Sequence, residues 1–149
     1  MGKRGEGWVL AQLVLFGLIL VSPKVEAFAI PLWLRLAGAA IIFGAGILGT
    51  LGILNLGSNL TPFPKPKQGG HLVSSGVYGL VRHPIYSGII FGSLGWALLT
   101  DTLLGVALAA ALFIFFDLKS RREERWLTEA YPDYPAYQKR VKKLIPFLY

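Results

Sequence analysis

Apolar residues along the chain fall into four blocks, separated by short polar or proline-bearing stretches. The first runs from Trp8 to Val21 and closes at Ser22-Pro23; with its uncharged flanks it predicts a span over residues 8–22. The second follows Pro31, whose missing N–H needs no partner in a first helical turn, and predicts a helix over residues 32–56. Its charge-free stretch from Leu36 to Leu60 exceeds the roughly 20 residues a bilayer crossing needs, and Arg35 can snorkel to the interface. Pro84 disfavours helix at His83 and suits a helix start, so a third span is predicted over 85–99. Thr100-Asp101-Thr102 reads as a tight turn, with Asp101 or Thr102 as N-cap of a fourth span over 102–116. The fold class is therefore all-α: a polytopic membrane helix bundle of about four transmembrane helices, in a single domain over residues 1–149.

Two segments fall outside these blocks. Residues 60–84 form a loop in which prolines at 62, 64 and 66 remove donors and impose an extended course. Residues 117–149 form a charged C-terminal helical segment, broken at Tyr131-Pro132-Asp133-Tyr134-Pro135. A last short helix is predicted from Ala136 to Leu144, with an extended apolar end beyond it. Within the second span Gly38, Ala45, Gly49 and Gly52 share a face and predict a smooth strip for a neighbouring helix. Asn55 and Asn59, at the end of that span, either face a site or cap the helix.

Composition agrees with the pattern. Hydrophobic residues make up 54% of the 149, and the mean hydropathy of +0.55 is high for a soluble domain. Lys3 and Arg4 before an apolar run imitate a signal peptide, but no small-residue cleavage pattern follows, and a retained first helix is expected. The net charge of +7 is placed unevenly. Lys3, Arg4, Lys65, Lys67, Arg82 and the group from Lys119 to Lys143 share one side of a four-span arrangement. Lys24, Glu26, Arg35 and Asp101 share the other and cancel. The positive-inside bias then puts both termini, the 60–84 loop and the tail on the cytoplasmic side. Anionic lipid headgroups account for the basic excess more simply than nucleic acid does. There are no cysteines, and His71 and His83 stand twelve apart, so no metal site is expected.

Candidate chemistry concentrates between Leu72 and Gly88, where glycines, two tyrosines, Arg82 and His83 precede an apolar segment. Antiparallel third and fourth spans bring Arg82-His83 beside Lys119 and Glu123. Arginine offers a donor fork to a carboxylate and glutamate accepts from an amine, so a ligand bearing both groups suits the pair of clusters. A salt-bridged skirt on the membrane face uses the same residues, and from chemistry alone both readings stand.

Ser75-Gly76-Val77-Tyr78, followed by Arg82-His83-Pro84-Ile85-Tyr86-Ser87-Gly88, resembles the hallmark of the isoprenylcysteine carboxyl methyltransferases and their bacterial relatives among phospholipid methyltransferases. Phe115-Phe116, Glu123-Glu124, Tyr134, Tyr137, Arg140-Val141 and Ile145-Pro146-Phe147 resemble the closing region of the same family, so the likeness covers about half the chain, from Leu72 to Leu148. It implies a small integral-membrane enzyme of a prokaryotic inner membrane that uses S-adenosyl-L-methionine. Val73, Gly76, Tyr78, His83, Tyr86, Glu124 and Tyr137 would bind the cofactor at the cytoplasmic face. Glu123, Lys119 and Arg82 would serve catalysis on a lipophilic or lipid acceptor, a carboxylate giving a methyl ester among the options. Lys119 departs from the prenylcysteine enzymes, which carry arginine four residues before the glutamate; lysine pairs with a carboxylate without two-pronged geometry. Two other classes remain open: an NADPH-dependent membrane reductase of the sterol or enone type, and a non-enzymatic membrane subunit.

Overall fold

The structure, a computed structural model, describes residues 6–23, 29–61, 63, 66 and 69–149. The charges at Lys3, Arg4, Lys24, Glu26, Lys65 and Lys67, and the prolines at 62 and 64, lie outside the described residues. Five α-helices follow one another: α1 (Glu6–Leu20), α2 (Leu32–Leu56), α3 (Pro84–Leu99), α4 (Leu103–Ala130) and α5 (Tyr134–Arg140), with short 3-10 turns at Gly57–Asn59 and Gly76–Gly79. No strand occurs among the described residues; a single parallel bridge joins Val81 to Lys142.

Among the described residues, two helices are long and apolar enough to cross a membrane by themselves, α2 with its 3-10 extension (Leu32–Asn59) and α4. The 15 residues of α1 and 16 of α3 fall below the ordinary crossing length.

Packing of α2 on α3 uses the small residues the sequence places on one face. A Cβ at Gly38 would stand 2.7 Å from the Gly95 carbonyl oxygen, and one at Gly88 would stand 2.9 Å from that of Ala45. The two backbones therefore touch along a seam that any larger side chain would wedge apart. α3 and α4 form a hairpin through Asp101, which adopts φ 62°. Thr102 occupies the N-cap position of α4 without a side-chain bond to the helix, its hydroxyl oxygen accepting from Ser22 at 3.3 Å, while the Asp101 carboxylate accepts the Ile30 N–H at 2.5 Å. That contact ties the hairpin tip to the entry of α2. α1 packs on α4, with Trp8 and Phe115 rings 5.4 Å apart. Ile19, Ile90, Leu112, Phe116 and Leu144 close the core, so the tail contributes to it directly.

α4 continues past Phe116 and runs unbroken to Ala130, about 42 Å at 1.5 Å per residue, so its last turns stand beyond the apolar part. Two expectations for the C-terminal part change. The last helix spans Tyr134–Arg140 and not Ala136 to Leu144, because the backbone past Arg140 pairs with the loop before α3. The final residues are folded back rather than extended: the N–H groups of Leu144 and Ile145 both donate to the Tyr149 carbonyl at 2.7 Å, with Phe147 at φ 65°.

Candidate active site

The site begins with how the loop before α3 is held. Gly76 adopts φ 59°, and a Cβ there would run into the Asn55 side-chain oxygen. That oxygen accepts the Val77 N–H at 3.1 Å, and Asn59 exchanges hydrogen bonds with the His71 backbone at 3.2 and 3.3 Å. The two amides at the end of α2 thus clasp both ends of the motif loop. Tyr78 spends its hydroxyl on the Gly52 carbonyl at 3.3 Å, and its own carbonyl accepts the Tyr137 hydroxyl at 2.6 Å. Burial, then the nearby Glu123 charge, push the Tyr78 phenol well above its ordinary range. It is a donor to the backbone and a ring wall to the site.

The tail completes the frame. The N–H groups of Arg82 and His83 donate to the carbonyls of Lys142 and Lys143, at 2.8 and 3.1 Å, and the Ser87 hydroxyl donates to Leu144 at 2.7 Å. Arg82 turns its guanidinium inward: Nε donates to Glu124 at 2.8 Å, and Nη1 to the carbonyls of Gln138 and Val141. His83 Nε2 donates to the same Glu124 oxygen at 3.0 Å, and the Gln138 amide donates to the other at 2.9 Å. Burial alone would raise the Glu124 carboxyl, but the hydrogen bonds from His83 and Arg82, and their charges, outweigh it and hold it down at about 2.

On the open side of this frame lies a cavity of about 370 Å³. Tyr86 stands in its wall with its ring between His83 (centroids 5.3 Å, 2° apart) and Phe116 (4.5 Å, 27°). Its hydroxyl donates to Glu123 Oε2 at 2.6 Å. Lys119, only 2% exposed, holds its ammonium 4.8 Å from the Tyr86 ring centre and donates to Gln12 Oε1 at 2.7 Å. The cavity lining combines the polar side chains of Tyr78, His83, Glu123, Tyr134 and Tyr137 with the apolar ones of Val9, Ile53, Leu56, Ile85 and Ile89. Polar and apolar groups therefore line one cavity.

Of the residues singled out from sequence, Val73, Tyr78, Arg82, His83, Tyr86, Lys119, Glu123 and Tyr137 all line this cavity. Gly76 and Glu124 stand outside it, the first shaping the loop and the second bracing Arg82 and His83 from behind. Asn59, which the sequence leaves between facing a site and capping the helix, lines the cavity too, whereas sequence reasoning missed Gln12, His71 and Tyr134 as lining groups. Gln12 carried a usable signal, an amide in an otherwise apolar run, since a polar side chain at membrane depth needs a partner. Tyr134 carried only its place in the closing region of the resemblance; it is buried, and its hydroxyl has no hydrogen-bond partner among the described residues.

A phospholipid methyltransferase family model matches residues 33–134, and the chain belongs to that family. Protein-S-isoprenylcysteine O-methyltransferase B of Arabidopsis thaliana is 31% identical over 120 residues, 78% of this chain and 61% of its own length. The cobalt-zinc-cadmium resistance protein CzcN of Cupriavidus metallidurans is 35% identical over 83 residues, 55% of this chain and 38% of that protein. The solved structure of the eukaryotic intramembrane Ras methyltransferase, isoprenylcysteine carboxyl methyltransferase, superposes with a TM-score of 0.71 at 27% identity. It covers 96% of this chain and 52% of that one. The chain thus spans less than two thirds of the length of each of these relatives, and its all-helical fold is that of the intramembrane methyltransferase.

Proposed function

We propose that the protein transfers a methyl group from S-adenosyl-L-methionine to a lipophilic, membrane-embedded acceptor, with a carboxylate as the methylated group and a methyl ester as product. The observation that carries this reading is a cavity lined by both polar and apolar side chains, drawn from the motif loop, the tail and helices α1 to α5. Its volume lies within the usual range for small-molecule sites, about 300–1,000 Å³.

The polar residues of the lining suit such a cofactor. The Glu123 carboxylate can accept from an ammonium, the tyrosines of the lining offer ring surface to a purine, and backbone near Val73 offers hydrogen-bonding groups. When bound, the cofactor supplies an electrophilic methyl on a sulfonium. The contribution of the chain is then orientation and exclusion of water. Tyr86 holds Glu123 in place, Glu124 and Arg82 fix the His83 ring, and Lys119 steadies the negative group of the acceptor. A carboxylate acceptor needs no general base, so neither His83 nor Glu123 has to take a proton.

The same reading includes four spans within one domain, both termini and the 60–84 loop cytoplasmic, and the cofactor bound on that face. The acceptor enters sideways from lipid where Val9 of α1 and Leu56 of α2 line the cavity. Purified protein should bind S-adenosyl-L-methionine and S-adenosylhomocysteine but not NADPH, and lipid extracts given labelled methyl donor should yield a labelled product. NADPH binding without S-adenosylhomocysteine binding would move the chain to the reductase reading.

A further inference from the structure

Lys119 is a fully buried lysine in the lining of the cavity, and its surroundings are incomplete. An ammonium has three N–H donors. One goes to Gln12 Oε1 at 2.7 Å, and the rings of Tyr86 and Phe116 lie 4.8 and 5.5 Å from the nitrogen. No carboxylate among the described residues makes a contact ion pair with it; Glu123, one turn on, acts on it only through its charge at a distance, its carboxylate being engaged by the Tyr86 hydroxyl. A buried cation without a counter-ion in contact is costly unless something supplies more opposing charge. Gln12 supplies an acceptor but no charge. It fixes where the ammonium points and leaves its positive charge for a ligand.

We propose that Gln12 of α1 is a specificity-determining residue of the acceptor site, selecting a compact anionic group on an apolar chain through the position and unspent charge it gives Lys119. This rests on the reading that the cavity takes a lipophilic acceptor. The neutral amide is central to the argument. A carboxylate at position 12 would neutralise Lys119 within the protein and repel an incoming anion. An apolar side chain would leave the ammonium free to swing out of register. Both Gln12 and Lys119 line the cavity beside Val9 and Ile89, so the anion would sit where an apolar tail can lie along α1 and α3.

The test is equilibrium binding of matched probes to the detergent-solubilised protein: N-acetyl-S-farnesyl-L-cysteine against its carboxamide, and farnesyl phosphate against farnesol. The parent should prefer the anionic member of a pair by at least ~10-fold, the scale of one charge-assisted hydrogen bond. A preference in the first pair alone assigns the site to a carboxylate; in the second alone, to a phosphate headgroup. Gln12→Glu should reduce the preference to within about 2-fold, and Gln12→Met, which keeps the shape, should give an intermediate ratio. A purely structural role for Gln12 would weaken both members of a pair together and leave the ratio alone. An unchanged ratio in both variants, or no preference in the parent, overturns the proposal. S-adenosylhomocysteine titration of the same samples separates the two claims: its absence in the parent would sink the methyl-transfer reading, whereas the probe ratio speaks for Gln12.

Discussion

His83 and Glu124 are joined across α3 and α4 by a hydrogen bond of 3.0 Å, from Nε2–H to Oε1, on a histidine only 6% exposed. The bond fixes the ring: Nε2 carries a proton, and Nδ1 faces Glu123 Oε2 at 4.0 Å. It also makes Glu124 the common anchor of Arg82, His83 and Gln138, so one buried carboxylate sets the geometry of the motif loop and of α5.

Acid should therefore loosen the site. The Glu124 carboxyl falls from its ordinary 4.5 to about 2 in the folded protein. A depressed folded value means stability that is whole above the ordinary value and is lost as pH falls toward the folded one. Melting temperature should decline between about pH 5 and pH 2, and Glu124→Gln should lower it at neutral pH while flattening that decline. Parallel acid profiles for the two proteins would remove Glu124 from this role.

Glu123 is held differently, by the Tyr86 hydroxyl at 2.6 Å with His83 Nδ1 at 4.0 Å, and is more open than Glu124. Glu123→Gln keeps size and deletes charge. It should cut methyl transfer at least ~10-fold, about 1.4 kcal/mol in the transition state, with little change in melting temperature. Turnover equal to the parent at saturating and limiting cofactor would return this end of α4 to a solvated skirt.

The α2–α3 seam sets a stability expectation. A Cβ at Gly95 would meet the Gly38 carbonyl oxygen at 2.6 Å and Ile42 Cγ1 at 2.9 Å, and backbone oxygen cannot move aside as a side-chain tip can. Gly95→Ala should cost about 1–3 kcal/mol by overpacking. Gly46→Ala, where nothing lies within 4 Å, should leave thermal unfolding unchanged. Equal melting temperatures for Gly95→Ala and parent would show that the helices slide apart freely.

That seam was legible in the sequence because helical periodicity alone places Gly38, Ala45 and Gly52 on one face, and all three are buried. The start of α3 was legible too, since proline restricts both itself and His83. The course of the tail was not. Val81 pairs with Lys142 across 61 positions, through backbone groups that carry no side-chain signature. Arg82 looked free to meet a ligand because its partners, two carbonyls and Glu124, are brought to it only by that pairing. Membrane depth was legible only in part: the charge pattern suggests four crossings, while among the described residues two helices alone have the length.

Topology follows from the proposed four spans and is open to direct labelling. Asp101 would be a poor reporter, being buried and bonded to Ile30. Val21, 75% exposed at the end of α1, and Lys142, exposed in the tail, are better placed. Val21→Cys should react with an impermeant maleimide added outside intact cells, and Lys142→Cys only after lysis. Reaction of Lys142→Cys in intact cells would invert the orientation, and reaction of neither before lysis would break the four-span count.

Asp117 offers the last expectation, because it connects the tail to the site without touching the cavity. Its Oδ1 accepts the Lys143 ammonium at 2.5 Å and the Tyr149 hydroxyl at 2.7 Å, and its Oδ2 pairs with Arg121 at 2.7 Å. Lys143 in turn offers its carbonyl to the His83 N–H, so a carboxylate at the end of the apolar part of α4 restrains the backbone that carries His83. Asp117→Asn keeps the volume and weakens the charge-assisted bonds, each ordinarily worth about 1.5–3 kcal/mol with a charged partner. Amide hydrogen exchange at Arg82 and His83 should quicken at least ~10-fold if the loss of about 1.4 kcal/mol is felt there. S-adenosylhomocysteine affinity should fall with it. Arg121→Ala is the control, since that side chain is 59% exposed and meets Asp117 at the outer carboxylate oxygen. It should leave both readings unchanged. If the Arg82 and His83 amides stay as protected in Asp117→Asn as in the parent, the tail is held by its backbone pairing and by Leu144 in the core, and Asp117 is a surface group with no hand in the site.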